Sequence, residues 1–239
     1  MLQAIIAGKD DPAALAELAK GRMRTRIDEL EQALTGHVRS SHRLLLRMHL
    51  EHIDELNTML TELNEEIDHL MPPFDPDQLV ERLDAIPGVG TITAQVVIAE
   101  LGIDMSRFPT DGHAASWAGP APGKNESAGR NHSARTLKAN RYLRSALVEA
   151  AHAAGKTDTY LGEKFRRIAR RRGKKRAAVA VARTILTIIY HMIRNCSQYI
   201  ERGSAYFDQL NPLSTQQWLT KRLERLGFKV TLEPLPMAA

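Results

Sequence analysis

Between Leu46 and Leu70 apolar side chains return at alternating intervals of three and four. The series is Leu46, His49, Ile53, Leu56, Leu60, Leu63, Ile67 and Leu70, with His49 as its polar member. Such a heptad seam cannot be left in water along its whole length, and it fits a second helix laid against it. The partner is either another helix of this chain, as a hairpin, or a second chain. The acids Glu51, Asp54, Glu55, Glu62, Glu65 and Glu66 lie off the seam. Upstream, Asp10 or Asp11 offers a cap, and Pro12 is tolerated in a first turn. Ile27, Leu30, Leu34 and Val38 continue the apolar pattern. Asp11 to Leu70 therefore reads as helix with one interruption, at "TGHVRSSH", where Gly36 weakens it. His42, His49 and His52 sit on this helix at spacings that could share a face, and a metal site would need acidic or further imidazole ligands converging there. They read as seam and flank residues, and no metal site is assigned.

The helix must stop at "MPPFDPDQL", Met71 to Leu79, because its three prolines cannot continue it. This is the boundary between a coiled-coil helical arm, residues 1–78, and a compact helical domain, residues 79–202. A tail, residues 203–239, carries one amphipathic helix in "QQWLTKRLERLGFKV". Aromatics are only 5 % of the 239 residues, and Leu, Ala and Ile carry the apolar content. That balance favours helices, so the expected fold class is all-α.

In "LVERLDAIPGVGTITAQVVIAELG" a helix meets Pro87, a glycine-bearing turn follows, and a second helix begins. Ile92, Val96, Val97 and Leu101 are its expected apolar face. The pattern resembles a helix-hairpin-helix motif, in which Gly88, Gly90 and Thr91 would bring backbone N–H groups to a phosphate. The alternative is a packed helical hairpin without a ligand. Beyond it, Trp117 is expected to plug the core beneath a polar loop. A helix from about Thr136 to Ala154 places Lys138, Arg141 and Arg144 on one outer face. Nine of the thirteen residues from Lys164 to Arg176 are Lys or Arg, with no acid among them. Arg166, Arg167, Arg170, Arg171, Arg172, Lys174, Lys175 and Arg176 are candidates for phosphate contacts, which would relieve their mutual repulsion. A solvated basic linker has the same composition. The apolar run Ala177 to Tyr199 is the expected central helix.

The formal net charge of +5 and its concentration after Lys124 point to a polyanionic partner. Cys196 is the only cysteine, which excludes an internal disulfide and fits a reducing compartment. No uninterrupted apolar run reaches the length of a membrane span, and no signal-peptide core opens the chain. A cytoplasmic location without membrane contact is expected. In "GKNESAGR", Ser127 is either a turn residue or a nucleophile. A hydroxyl needs help to lose its proton. Glu126 is adjacent in sequence and His132 is near.

Four stretches in order, "IPGVGTITAQVVIAELG", "SWAGPAPGKNESAGR", "TLKANRYLRSALVEAA" and "TKRLERLGFKVTLEP", carry a resemblance. Together they cover roughly Leu79 to Pro234. The chain resembles the C-terminal part of the DEDD-type insertion-sequence transposases, the family of insertion sequence 110. The resemblance implies a DNA recombinase guided by a structured RNA. Its N-terminal RuvC-like half holds divalent metal on four acids, and its C-terminal half supplies a serine nucleophile. That role maps onto Ser127, with Lys124, Arg130 and Arg135 as phosphate clamps. The family's four acids have no counterparts in this sequence, so no metal or other cofactor is assigned to the chain itself, and Mg is expected only with a RuvC-like half. The expectation is a fragment, a truncated copy or a separate subunit that does not recombine DNA alone. The expected partners are DNA, guide RNA and a second copy through the coiled coil. The alternatives are a nucleic-acid-binding module without chemistry, or a dimerising remnant that inhibits intact transposase.

Overall fold

The computed structural model describes residues 1–120, 139–210 and 212–232, with the backbone alone of Glu126–Ser127, Arg130–Asn131 and Ser214. The fold is all-α; among the described residues the only strand pairing is a two-residue ladder. The chain divides into two compact units, Met1–Met71 and Pro72–Ala239.

The first unit holds α1 (Leu2–Ile6), α2 (Pro12–Ala16), a 3-10 turn at Gly21–Arg26, α3 (Ile27–Leu34) and α4 (Ser40–Leu70). The Asp11 carboxylate accepts from the Ala13 N–H at 3.2 Å and caps α2, with Pro12 in the first turn. Ile5, Leu15, Ala16 and Ala19 are buried, with α1 packed on α4 and α2 on α3. Arg43 of α4 donates to the Ile5 carbonyl at 3.1 Å and to the Asp10 carboxylate. The expected single interruption near Gly36 is present between α3 and α4. A further break at Glu17–Lys20 was not expected; it leads into Gly21, whose φ of +57° is left-handed. Along α4 the seam residues Ile53, Leu56, Leu60, Leu63, Ile67 and Leu70 are each 40–60 % exposed.

In the second unit, 3-10 turns at Pro72–Phe74 and Pro76–Gln78 lead into α5 (Leu79–Asp84) and α6 (Thr91–Leu101). A 3-10 turn at Met105–Arg107 precedes α7 (Asp111–Ala118). Next come β1 (Glu126–Ser127), β2 (Arg130–Asn131), α8 (Arg141–Ala154), α9 (Tyr160–Arg172), α10 (Lys174–Arg194), α11 (Tyr206–Leu210) and α12 (Pro212–Arg225). α10 is the core helix: it buries ten residues, from Ala177 through Ile185 and Tyr190 to Ile193. It packs against α7, α8 and α9, while α8 also packs on α6. α10 begins at Lys174 and ends at Arg194, so it starts earlier and stops sooner than its apolar run implied. By length and composition α10 could also cross a membrane, but half of it is buried inside this fold.

Polar contacts fix the core helix in place. Tyr190 is buried, and its hydroxyl donates to the Phe108 carbonyl at 2.8 Å. Thr187 donates to the Asp111 carboxylate at 3.1 Å. Arg82 of α5 donates to the carbonyls of Met192 at 3.1 Å and Ser197 at 2.8 Å, satisfying acceptors at the open end of α10.

Three sequence expectations need correction. Ile92 is 66 % exposed; α6 buries Val97 and Leu101 as expected, together with Ala94 and Ile98. The face that α8 covers is set by where the hairpin docks, which the apolar spacing of α6 does not encode. Trp117 is 42 % exposed and tilts against Phe108 rather than plugging the core. The buried residues of α7 are the small Ala114, Ala115 and Ala118. α8 begins at Arg141, where the Asn140 side chain caps it, later than the expected start at about Thr136, which lies outside the described residues.

Gly88 explains how the α5–α6 hairpin lies against α8. Its φ is +87°, and a Cβ there would stand 2.3 Å from the Ala150 carbonyl oxygen and 2.6 Å from the Ala154 nitrogen. Gly90 faces open space at ordinary backbone angles. Gly88→Ala is therefore expected to destabilise the fold by about 3 kcal/mol, from strain plus overpacking. Gly90→Ala should cost less than about 1 kcal/mol. Denaturant melts of the two variants check this; equal losses would contradict the packing.

Candidate nucleic-acid interface and serine loop

The loop that carries Ser127 leaves and re-enters the core at neighbouring points. α7 ends at Gly119, which adopts a left-handed φ of +92°, and Pro120 is buried behind it. At the return, the Asn140 N–H donates to the Trp117 carbonyl at 3.3 Å. The Asn140 side chain accepts from the Leu143 N–H at 3.0 Å and donates to the Glu100 carboxylate of α6. One side chain thus caps α8 and ties it to α6. Within the loop the β1 and β2 backbones pair antiparallel, with Ser127 opposite Arg130 and Glu126 opposite Asn131. The side chains of Ser127 and Arg130 lie outside the described residues, as do Lys124, His132, Arg135 and Lys138.

The hairpin glycines separate into two roles. Gly88 is pressed inward on α8. Gly90 is the N-cap of α6, carries no side-chain cap, and is exposed together with Thr91 and Ile92. The first N–H groups of α6 therefore face outward without a side-chain acceptor, beside an exposed apolar side chain. On α8, Arg141 is exposed and Arg144 half-buried, one turn apart.

The basic run also divides. Arg166 is held internally: it donates to Glu163 at 3.0 Å, to the Thr157 carbonyl at 2.8 Å and to Asp158 at 3.4 Å. Arg167 pairs with Asp208 of α11 at 3.1 Å and lies over the Phe207 ring. Arg167 fastens α9 to α11, and Arg166 ties α9 to the turn that precedes it. Gly173, with φ +81°, is both the end of α9 and the start of α10, and it turns the chain sharply. Around this corner Arg170, Arg171, Arg172, Lys174, Lys175 and Arg176 are all exposed, with no hydrogen-bond or ion-pair partner among the described residues. Cations in the last turn of α9 suit its helix dipole. Lys174, Lys175 and Arg176 stand in the first turn of α10, where the dipole opposes them and no acid compensates. A bound anion would remove that conflict.

Sequence reasoning missed the latch that closes the tail onto α9. Tyr160 stacks on Phe207 with ring centroids 5.2 Å apart and meets Tyr206 edge-on at the same distance. Arg202 lies over the Tyr206 ring. Glu201 accepts from the Tyr160 N–H at 2.8 Å, the Gly203 N–H at 2.7 Å and the Tyr199 hydroxyl at 2.7 Å. Burial pushes the Glu201 carboxyl up, but these hydrogen bonds outweigh it and hold the group below its ordinary value. Burial lowers the Lys164 ammonium, which lies over Tyr160. The signal available in the sequence was the aromatic pair in "AYFDQL" after a glycine turn.

The divalent cation that the family resemblance implies finds no ligand set here. Among the described residues no three His, Cys, Asp or Glu side chains converge.

Residues 80–167 match the model of the "Transposase IS116/IS110/IS902 family". The matched segment runs from α5 through the hairpin and the serine loop into α9. The insertion element IS110 43.6 kDa protein of Streptomyces coelicolor is 33 % identical over 126 residues, 52 % of this chain and 31 % of that protein. A probable family 20 transposase of Pseudomonas aeruginosa is 28 % identical over 146 residues, 59 % of this chain and 43 % of that protein. The chain spans less than half the length of either relative. Within the matched stretches, this chain is similar to insertion-sequence transposases of the IS116/IS110/IS902 type.

Proposed function

We propose that this chain is the serine-bearing, DNA-handling part of an insertion-element recombinase. The observation that carries the reading is the position of Ser127. It lies inside the family-matched segment 80–167, on a loop whose backbone sets it opposite Arg130 and whose return is tied to α6 and α7 through Asn140. Ser127 acts as nucleophile on a DNA phosphate. Its Oγ–P bond forms as the bond from phosphorus to one deoxyribose oxygen breaks. The hydroxyl proton passes to a base, and the departing oxygen takes up a proton. The phosphoserine link conserves the energy of the phosphodiester, so a strand hydroxyl can later attack it, rejoin the DNA and free the serine.

The chain's own residues bind and orient. Gly90, Thr91 and the open amides of α6 serve one DNA phosphate, in the manner of a helix-hairpin-helix. Lys124, Arg130, Arg135 and Lys138 of the loop, with Arg141 and Arg144 of α8, neutralise the backbone around the reacting phosphate. The proton acceptor comes from a RuvC-like half, so the active site is shared, with a structured RNA directing the DNA. The exposed α4 seam joins two copies of the chain.

The chemical claim is tested by combining the chain with the RuvC-like half of a full-length relative and substrate DNA. A denaturant-resistant protein–DNA adduct is expected, with its linkage on Ser127. Ser127→Ala should abolish adduct and strand exchange while DNA affinity stays unchanged. Exchange that persists in the alanine variant would leave a binding module without chemistry.

The seam gives a second expectation. At micromolar concentration the chain should sediment at twice its own mass, and Ile53→Lys with Leu60→Lys should return it to a monomer. A wild-type monomer at every concentration would contradict pairing through α4.

A further inference from the structure

A cleft of about 1040 Å³ opens between the α9–α10 corner and α12; part of its lining, Asp158, Glu163 and Arg167, lies within the family-matched residues, and the rest lies beyond them. Arg170, Arg171, Arg172 and Arg176 line one side, and Trp218 and Leu219 of α12 line the other. The four arginines have no acidic partner among the described residues. Asp158, Glu163 and Asp208 also reach the cleft; Arg166 pairs with Asp158 and Glu163 and Arg167 with Asp208, so one acidic charge is left against the four unpaired arginines. The cleft is therefore cationic on one wall. The Trp218 indole opposite is 51 % exposed, and Arg222 lies over it at 5.4 Å from the ring centroid.

We propose that this cleft binds an unpaired polynucleotide strand, with its phosphates on Arg170, Arg171, Arg172 and Arg176 and a base on Trp218. The inference rests on the nucleic-acid reading above and adds a strand preference to it. A duplex presents phosphates outward and keeps its bases stacked on one another, so it uses the arginines but not the indole. An unpaired strand offers both at once, and stacking tolerates any base. An acidic peptide would satisfy the arginines but would leave the indole and Leu219 without a planar apolar partner. The volume is at the top of the range for small-molecule pockets, about 300–1,000 Å³, which suits a stretch of strand.

Trp117 and Trp218 are the two tryptophans, so Trp117→Phe makes Trp218 the sole indole reporter. The chain is titrated with oligothymidylate, oligouridylate, a blunt DNA duplex, inorganic polyphosphate and polyglutamate at fixed salt. Both single strands are expected to quench Trp218 and to bind more tightly than polyphosphate or polyglutamate of equal charge. A preference for either strand upholds the site and identifies its source as DNA or RNA. Trp218→Ala should weaken single-strand binding on the order of tenfold, with duplex binding unchanged, while Trp218→Phe should keep most of the affinity. Polyphosphate or polyglutamate binding as tightly as the strands, or an alanine variant without effect, would overturn the proposal and leave a simple anion patch. If duplex, strands and polyphosphate all fail to bind, the nucleic-acid reading fails with it.

Discussion

The second unit depends on the burial of α10. Ten residues of this helix leave water together, and α7, α8 and α9 supply the surfaces that receive them. Each fully buried aliphatic side chain contributes about 1.5–3 kcal/mol, so the position of α10 is fixed far more strongly than any surface contact could fix it. The functional candidates are placed by reference to it. Gly173 starts the helix and forces the turn that exposes the arginine corner. Arg82 fastens the other end to α5, the first helix of the hairpin. α8 lies against α10 and takes Gly88 against its own backbone, which sets the height of the α6 N-terminus. Asn140, at the head of α8, then fixes where the serine loop returns.

Electrostatics divides what composition presents as one feature. Nine cations in thirteen residues look like a single basic patch. In the fold, Arg166 and Arg167 are taken up by Glu163, Asp158 and Asp208, and they hold α9 to the segments around it. The other cations of the corner stay exposed, three of them at a helix start whose dipole disfavours them. A chain that keeps this arrangement bears a local repulsion that a polyanion would relieve. The corner and the serine loop belong to the same unit but to different stretches of it: the loop lies inside the family-matched residues, the corner just beyond them.

The sequence made the all-α class, the proline stop after α4 and the apolar core helix legible, because each depends on local pattern. Prolines end helices wherever they fall, and an apolar run of this length finds burial in most folds. The glycine turn before α6 was also legible, though not the fact that Gly88 faces α8 while Gly90 faces out. That difference depends on a contact with Ala150 and Ala154, more than sixty residues away. Ile92 and Trp117 were misplaced for the same reason: periodicity marks an apolar face, and only tertiary docking decides which part of it is covered. The pairing of Arg167 with Asp208 and the stacking of Tyr160 on Phe207 join residues about forty apart, and no local rule connects them. Of the candidate site, the identity of Ser127 came from ordered motifs, and the structure adds its backbone register opposite Arg130.

The central claim is that the second unit is built to hold a nucleic acid on its unpartnered cations. The most direct test is the dependence of duplex DNA affinity on salt. The account predicts a linear fall of log affinity with log salt, with a slope of about −0.9 for each phosphate neutralised. Removing Arg171, Arg172 or Lys175 singly should make that slope shallower by about one. Removing Arg166 should lower stability and leave the slope unchanged, because its charge is already committed within the fold. A slope that ignores the corner substitutions, or one that responds as strongly to Arg166, would contradict the account.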